Sequence, residues 1–180
     1  MRQEWDAVVA GAGIIGLAAG RELARRGARV LIVDAGRLCG GATQASAGML
    51  APHIEAAGHD VLHQLTVRSL SLYDRFVADL EQEAGTTIEY ARRGTLELAY
   101  TETAAARLAG QAAALESAGV AARLLSGTEA AGLESAIAEP AAGLFVGTHG
   151  YVRVAQLTSA LLAAARAAGA SVIEEQRVEP

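Results

Sequence analysis

The sequence contains no lysine and no asparagine, so its 15 basic residues are all arginines. A pyridoxal enzyme needs a lysine to form its Schiff base, and a P-loop needs a lysine to contact the nucleotide phosphates. The missing residue type therefore excludes both kinds of site.

Cysteine and long apolar runs are also scarce. The single cysteine, Cys39, has no partner for an internal disulfide or a two-cysteine zinc site, which fits a reducing compartment. The apolar run 7–19 follows Glu4 and Asp6, unlike a signal peptide, and no segment approaches the roughly 20 apolar residues of a membrane span. We therefore expect a cytoplasmic protein without a membrane partner.

Acidic residues outnumber basic residues, and the formal net charge is -5. No basic stripe interleaved with aromatic residues is present, so nucleic acid is not expected as a partner. With 52% hydrophobic residues over 180 positions, the chain can bury a sizeable core.

The N-terminal residues have the pattern of one βαβ unit. An apolar strand from Trp5 to Ala10 precedes GAGIIG, an amphipathic helix follows and ends near Gly27, and a second strand covers RVLIV up to Val33. This order predicts an α/β fold with a parallel, Rossmann-like sheet.

Three glycines in this unit, Gly11, Gly13 and Gly16, form the GxGxxG pattern between strand and helix. The first permits the tight turn, the second allows a pyrophosphate to approach, and the third lets helix and strand pack closely. Asp34 follows the second strand, where an acid accepts hydrogen bonds from a ribose. The pattern predicts a dinucleotide site but leaves FAD and NAD as alternatives.

The stretch GGATQASAGML, from Gly40 to Leu50, consists almost entirely of small residues. Small side chains let a ligand approach the backbone. Because the stretch follows the strand that carries Asp34, we expect it to run along a dinucleotide, with Thr43 offering a hydroxyl group and residues 47–49 offering amides.

The rest of the chain alternates helices and strands. We expect a helix from an N-cap at Asp60 to Gly85, an Ala-rich helix after Thr101, and a capping box from Ser126 to Glu129. A last helix leads into a strand in SVIEEQRV. The parallel sheet then has about three strands, where sheets usually have roughly 4–6, so we expect a longer protein.

Three other groups of residues invite functional readings. His59 and His63 have the spacing of helical metal ligands, but an N-cap at Asp60 would place His59 outside the helix. Solvated histidines, His53 included, and no metal are therefore expected. Ser46 lacks a GxSxG elbow, and Arg92 and Arg93 are expected to be exposed at a strand bend.

Four segments, GAGIIG, LIVDAG, GGATQASAGMLAP and HGYV, resemble the N-terminal half of the FAD-dependent amino-acid oxidase family, most closely its glycine-oxidising, thiamine-pathway branch. The resemblance implies a discontinuous FAD-binding domain in residues 1–55 and 152–180. It places part of an α+β substrate domain in residues 56–151, with the family's C-terminal half absent.

The same resemblance assigns roles by position to residues around the cofactor. Besides Gly11, Gly13 and Gly16, they are Ile14 and Ile15 at the dinucleotide turn, Asp34 and Ala35 at the ribose, Ala42 and Thr43 at the pyrophosphate, Ala47, Gly48 and Met49 at the isoalloxazine, and Val178, on the returning strand, at adenine. Met49 would also lie near the substrate.

The resemblance further implies an activity. The full-length protein would oxidise glycine or a related small amino acid or amine to its imine and reduce O2 to H2O2, in thiamine biosynthesis. Self-association into a homo-oligomer is compatible with the sequence. In the family the substrate-binding arginine belongs to the second half, so no catalytic residue is assigned here. An NAD-dependent dehydrogenase fragment and a non-catalytic FAD-binding fragment remain as alternatives.

Overall fold

The computed structural model describes residues 4–55 and 61–179. Its elements, in chain order, are β1 Ala7–Ala10, α1 Ile14–Arg25, β2 Val30–Val33, α2 Ala42–Ala45, β3 Met49–Leu50, α3 Pro52–Glu55, α4 Val61–Ala84, β4 Tyr90–Ala91, β5 Thr95–Ala99, α5 Glu102–Ser117, β6 Ala122–Ser126, α6 Gly127–Leu133, β7 Ala142–Val146, β8 Gly150–Val152, α7 Val154–Ala167 and β9 Ser171–Ile173. Three short strands form a sheet in the order β3-β8-β4. The chain divides into two compact units.

The first unit comprises Met1–Met49, Leu72–Tyr90 and Val152–Pro180. Its parallel sheet has the order β1-β2-β9, so the last strand of the chain lies beside the second. Helices α1 and α7 pack against each other through buried apolar faces that include Leu17 and Leu161. This architecture confirms the βαβ unit that the sequence predicts.

An ion pair holds two helices of the first unit together. Arg21 of α1 is 4% exposed and donates from Nε and Nη2 to the carboxylate of Glu83 on α4, both at 2.7 Å. Its guanidinium carbon lies 5.7 Å from the ring centre of Phe76. The Arg21 hydrogen bonds lower the pKa of Glu83, so that carboxylate stays ionised.

The second unit comprises Leu50–Ser71 and Ala91–Tyr151. Its antiparallel sheet has the order β5-β7-β6, and α5 covers one face. The core between helix and sheet contains fully buried Leu108, Leu144 and Val146. The predicted capping box is confirmed, because Ser126 and Glu129 bond reciprocally. Thr101, at the start of the predicted Ala-rich helix, is the N-cap of α5 and accepts from the Ala104 amide.

Some sequence-based boundaries differ from the structure. Leu72–Tyr90 belong to the first unit, although the expected substrate segment covers 56–151. The last strand ends at Ile173 and does not reach Val178, because Glu175 adopts a left-handed backbone conformation that turns the chain. The predicted N-cap Asp60 and the neighbouring His59 lie outside the described residues. No helix in the described ranges has the length and hydropathy needed to cross a bilayer.

Candidate active site

The glycine turn before α1 has the close packing that the GxGxxG pattern predicts. Gly11 has φ +105°, a left-handed conformation that favours glycine, and its amide donates to the Val33 carbonyl at 2.7 Å. A Cβ on Gly16 would lie 1.9 Å from the Gly11 carbonyl oxygen. Strand, turn and helix can therefore approach this closely only with glycine at position 16.

The small-residue stretch returns to this turn through Thr43. Its hydroxyl oxygen accepts a hydrogen bond of 3.1 Å from the Ile14 amide, in the first turn of α1. The same oxygen lies 2.9 Å from the position that a Cβ on Gly13 would occupy. The glycine turn and the small-residue stretch, which the sequence predicts to contact one ligand, thus meet at one helix N-terminus. The two residues that join them, Ile14 and Thr43, are 29 positions apart.

Most of the stretch around Thr43 exposes its backbone. Gly41 is left-handed at φ +63°, and residues 44–47 are exposed. Met49 is 54% exposed, which is unusual for a large apolar side chain. At the turn itself, Ile15 is 82% exposed while Ile14 is partly buried. The exposed surface therefore combines the large apolar side chains of Ile15 and Met49 with small and polar residues.

Gly48 has a second explanation within the protein itself. It adopts φ +77°, and a Cβ there would lie 2.0 Å from the Val152 carbonyl oxygen. The Val152 amide in turn donates to the Gly48 carbonyl at 3.0 Å. This glycine is required by the close approach of the chain's own strand, whether or not a ligand also contacts its backbone.

Asp34 connects the glycine turn with the loop that follows β2. One carboxylate oxygen accepts from the Ala12 amide at 2.7 Å, and the other accepts from the Gly36 amide at 2.9 Å. Ala35 is exposed beside it. Because a carboxylate has about four lone-pair sites, Asp34 can still accept from a ribose hydroxyl group.

The chain beyond β9 also reaches this loop. The Gln176 amide donates to the Asp34 carbonyl at 2.9 Å, and the Glu175 amide donates to the Gly36 carbonyl at 3.0 Å. Val178, expected on a strand, lies in an irregular segment after these two bonds and is exposed. Its role at adenine stays a prediction.

Sequence reasoning did not predict that three histidines of the second unit lie together. His149, which follows β7, is fully buried, and its Nδ1 lies 2.7 Å from the Thr95 hydroxyl oxygen. Its Nε2 lies 3.3 Å from the His53 amide, and the two imidazole rings stack with centres 5.3 Å apart. His53 Nδ1 lies 3.1 Å from His63 Nε2.

The environment of these histidines favours the neutral form. Burial, followed by the charges of His53 and Arg92, lowers the pKa of His149 from 6.5 to about 4. Burial and the neighbouring His63 also lower the pKa of His53. The expectation of solvated histidines is therefore wrong for His53 and His63, because each ring is partly buried and hydrogen-bonded to the other.

The histidines do not form a recognisable metal centre. Within residues 4–55 and 61–179, no group of three or more histidine, cysteine or acidic side chains has a geometry that could hold an ion.

The two arginines expected to be exposed differ from each other. Arg93 is exposed, whereas Arg92 is partly buried and donates to the Leu70 carbonyl at 3.3 Å.

Comparison with known proteins gives one consistent family. The sequence profile described as "FAD dependent oxidoreductase" matches residues 6–179. Glycine oxidase of Geobacillus kaustophilus is 33% identical over 180 residues, which are 99% of this chain and 48% of that protein. The crystal structure of glycine oxidase from the same organism superposes with a TM-score of 0.92 at 32% identity, covering 95% of this chain and 46% of its own.

Another relative has the name of a bifunctional protein. The bifunctional protein ThiO/ThiG of Trichormus variabilis is 37% identical over 99 residues, which are 53% of this chain and 14% of that protein.

The chain spans about half the length of the glycine oxidase that it matches almost throughout. The family description names FAD and overturns the alternative of an NAD-dependent dehydrogenase. The chain belongs to the family of FAD-dependent oxidoreductases.

Proposed function

We propose that this chain forms the dinucleotide-binding part of a flavoenzyme that oxidises glycine or a related small amine to its imine and reduces O2 to H2O2. The observation that carries the proposal is the meeting of Thr43 with the Ile14 amide at the start of α1. It joins the glycine turn and the exposed small-residue stretch into one surface.

The residues at this surface fit a dinucleotide. The helix N-terminus favours a pyrophosphate, because its amides point outward and the helix dipole is positive there. Gly13 leaves space that a Cβ would fill, at 2.9 Å from the Thr43 oxygen. Since that oxygen accepts from Ile14, the Thr43 hydroxyl hydrogen remains available to donate to a phosphate oxygen.

The other residues would hold the remaining parts of the cofactor. Asp34, with Ala35 beside it, would accept from the ribose, and the exposed Met49 would lie at the isoalloxazine with Ala47. Bound FAD would supply the two-electron redox chemistry. In this proposal the chain's own residues bind and orient the cofactor, and the exposed Met49 side chain would become buried against it.

The substrate and the oxidant belong to the proposal as well. Two relatives with high coverage or identity carry glycine oxidase or ThiO names, which supports a small amino acid or amine as substrate. The place in thiamine biosynthesis follows from the resemblance alone. Oxidation of the amine removes two electrons and two protons, and reduction of O2 to H2O2 consumes the same number.

A non-catalytic FAD-binding role is the second candidate, and the arginines favour it for the chain alone. An amino-acid carboxylate is usually held by a bidentate arginine. Here Arg153 contacts Glu89 at 2.5 Å, and Arg92 donates to the Leu70 carbonyl. These side chains are already engaged, so neither is prepared to bind a substrate.

Titration of the full chain with FAD, followed by flavin absorbance and fluorescence, tests the cofactor assignment. We expect weak but saturable binding of FAD, and still weaker binding by Gly13→Ala because its Cβ would displace Thr43. The matched control is Gly110→Ala on the exposed face of α5, where an added Cβ meets open space. Equal affinities for the two variants, or a preference for NADH over FAD, would refute the proposed site.

A further inference from the structure

The two ring nitrogens of His149 have defined hydrogen-bonding roles. A backbone amide can only donate, so the Nε2 of His149 must accept from His53. A neutral imidazole with an accepting Nε2 carries its proton on Nδ1, which therefore donates to the Thr95 oxygen. The contacts fix both the charge and the tautomer of His149.

The bond to His53 lies close in sequence to the exposed stretch. His53 is four positions after Met49, and Leu50, Ala51 and Pro52 connect the two. Ala51 and Pro52 are buried, which limits the freedom of this connection. Holding the His53 amide therefore restricts where the chain can leave Met49.

Protonation would reverse this interaction. A charged imidazole has two donors and no acceptor, so Nε2–H would face the His53 N–H. Among the side chains that the structure describes, the titratable or charged groups facing the His149 ring are His53, stacked on it, and Arg92, with His63 beyond His53. Each of these is neutral or positive, so none of them stabilises a charged His149.

We propose that neutral His149 is a positioning residue, which holds the backbone at His53 and, through the connecting residues, keeps the Met49 end of the exposed stretch ready for the flavin. The flavin part of this inference rests on the proposed function. The hydrogen-bonding part does not.

Two substitutions separate positioning from simple packing. In His149→Gln the side-chain oxygen replaces Nε2 as acceptor for His53, whereas in His149→Asn the shorter amide can replace Nδ1 as donor to Thr95 but does not reach His53. We expect the Gln variant to retain the protection of the His53 amide from hydrogen exchange. In the Asn variant we expect the protection factor of the His53 amide to fall roughly fivefold and the affinity for FAD to fall by a similar factor. Loss of one hydrogen bond has an effect of this size.

The pH profile gives a second criterion. Protection of the His53 amide in the unsubstituted chain should fall as the pH is lowered from 7 to 4.5, and that of the Gln variant should change less, because glutamine does not titrate. Equal behaviour of the Gln and Asn variants at every pH would reduce His149 to a packing residue and overturn the proposal.

¹⁵N NMR of the histidine rings in the unsubstituted chain tests the same inference and avoids substitutions that could unfold the protein. We expect the His149 ring to carry its proton on Nδ1 at pH 6, and an Nε2–H or charged ring there would overturn the proposal. If the chain binds no FAD, the proposed function fails, and ring and amide measurements still decide the hydrogen-bonding part. If FAD affinity is equal in both variants while amide protection differs, the link to the flavin is wrong.

Discussion

Asp34 contacts the backbone on two sides, and its substitution should therefore affect both the loop and the ligand. Each carboxylate oxygen already accepts one amide, from Ala12 and from Gly36. Residue-scale reasoning from the sequence identified this acid from its position after β2, but the bond to Ala12 required the structure, because it joins residues 22 positions apart.

We expect Asp34→Ala to weaken FAD binding roughly tenfold to a hundredfold, since a hydrogen bond to a charged group contributes about 1.5–3 kcal/mol. Isothermal titration calorimetry measures the affinity. Asp79→Ala is the control, because Asp79 pairs with Arg75 on the helix surface at 3.6 Å. If Asp34→Ala and the control bind FAD equally, Asp34 does not contribute to the site.

His149 should make the stability depend on pH between about 4 and 6.5. Its pKa is about 4 in the folded chain and near 6.5 when exposed, so the unfolded chain binds more protons in this window. The contribution of His149 to the free energy of unfolding is fully present above pH 6.5. It decreases as the pH falls, by about 1–2 kcal/mol at pH 5. Urea unfolding at pH 7.5 and pH 5 measures the loss.

The matched comparison for this pH effect is the His149→Gln variant. Its free energy of unfolding should fall less between pH 7.5 and pH 5, and the difference should equal the contribution of His149, about 1–2 kcal/mol. A loss of equal size in both proteins would show that other groups are responsible. The sequence placed this residue in the HGYV segment but did not indicate its burial, because that burial depends on the packing of β7, α3 and Thr95, which are distant in the sequence.

At the scale of elements, the sequence predicted the regular patterns better than the pairings between them. Periodicity and capping residues located α1, α5 and α6, because these signals are local. The extent of β9 was wrong, since the left-handed Glu175 that ends it has no recognisable sequence signal. Likewise, the meeting of Thr43 with α1 depends on tertiary structure, although composition had indicated that both stretches contact one ligand.

The contact between α1 and α4 depends on Arg21, and we expect Arg21→Ala to lower the free energy of unfolding by about 2–4 kcal/mol. The substitution removes two charge-assisted hydrogen bonds and the packing of Arg21 on Phe76, and it leaves Glu83 without its main partner.

Chemical denaturation at pH 7 measures the effect, with Arg26→Ala as control. Arg26 pairs with Glu22 on the exposed surface of the same helix, and such pairs contribute about 0–1 kcal/mol. If the two variants lose the same stability, the buried pair is not what holds α1 to α4.

At the scale of the whole molecule, the family and the α/β class were predictable because the motifs cluster in residues 6–55. The assignment of the remaining roles to particular residues stays a prediction. The roles of Ala42, Ala47 and Val178, as well as the substrate, depend on a bound cofactor and on the part of the relatives that this chain does not span.

We expect the 180-residue chain to produce no glycine-dependent peroxide and to bind FAD at most weakly. Precise positioning of reactants contributes about 7–11 kcal/mol to such reactions, and the engaged Arg92 and Arg153 do not supply a carboxylate clamp. A peroxide-coupled assay with saturating FAD and, separately, glycine, sarcosine and D-alanine measures turnover.

The same assay on this chain completed by the C-terminal half of a family member is the positive control. Clear turnover by the 180-residue chain would contradict the expectation, and would direct attention to Arg68 or Arg93 on the exposed surface.

The strand order of the first unit has a consequence for synthesis on the ribosome. β2 receives its second neighbour from β9, where Leu31 pairs with Ser171, about 140 positions later. At roughly 5–20 residues per second, translation of that neighbour follows β2 by about 7–28 s. During this interval the N-terminal strands have an open edge, so nascent chains are most susceptible to chaperone capture and to misassembly before β9 emerges.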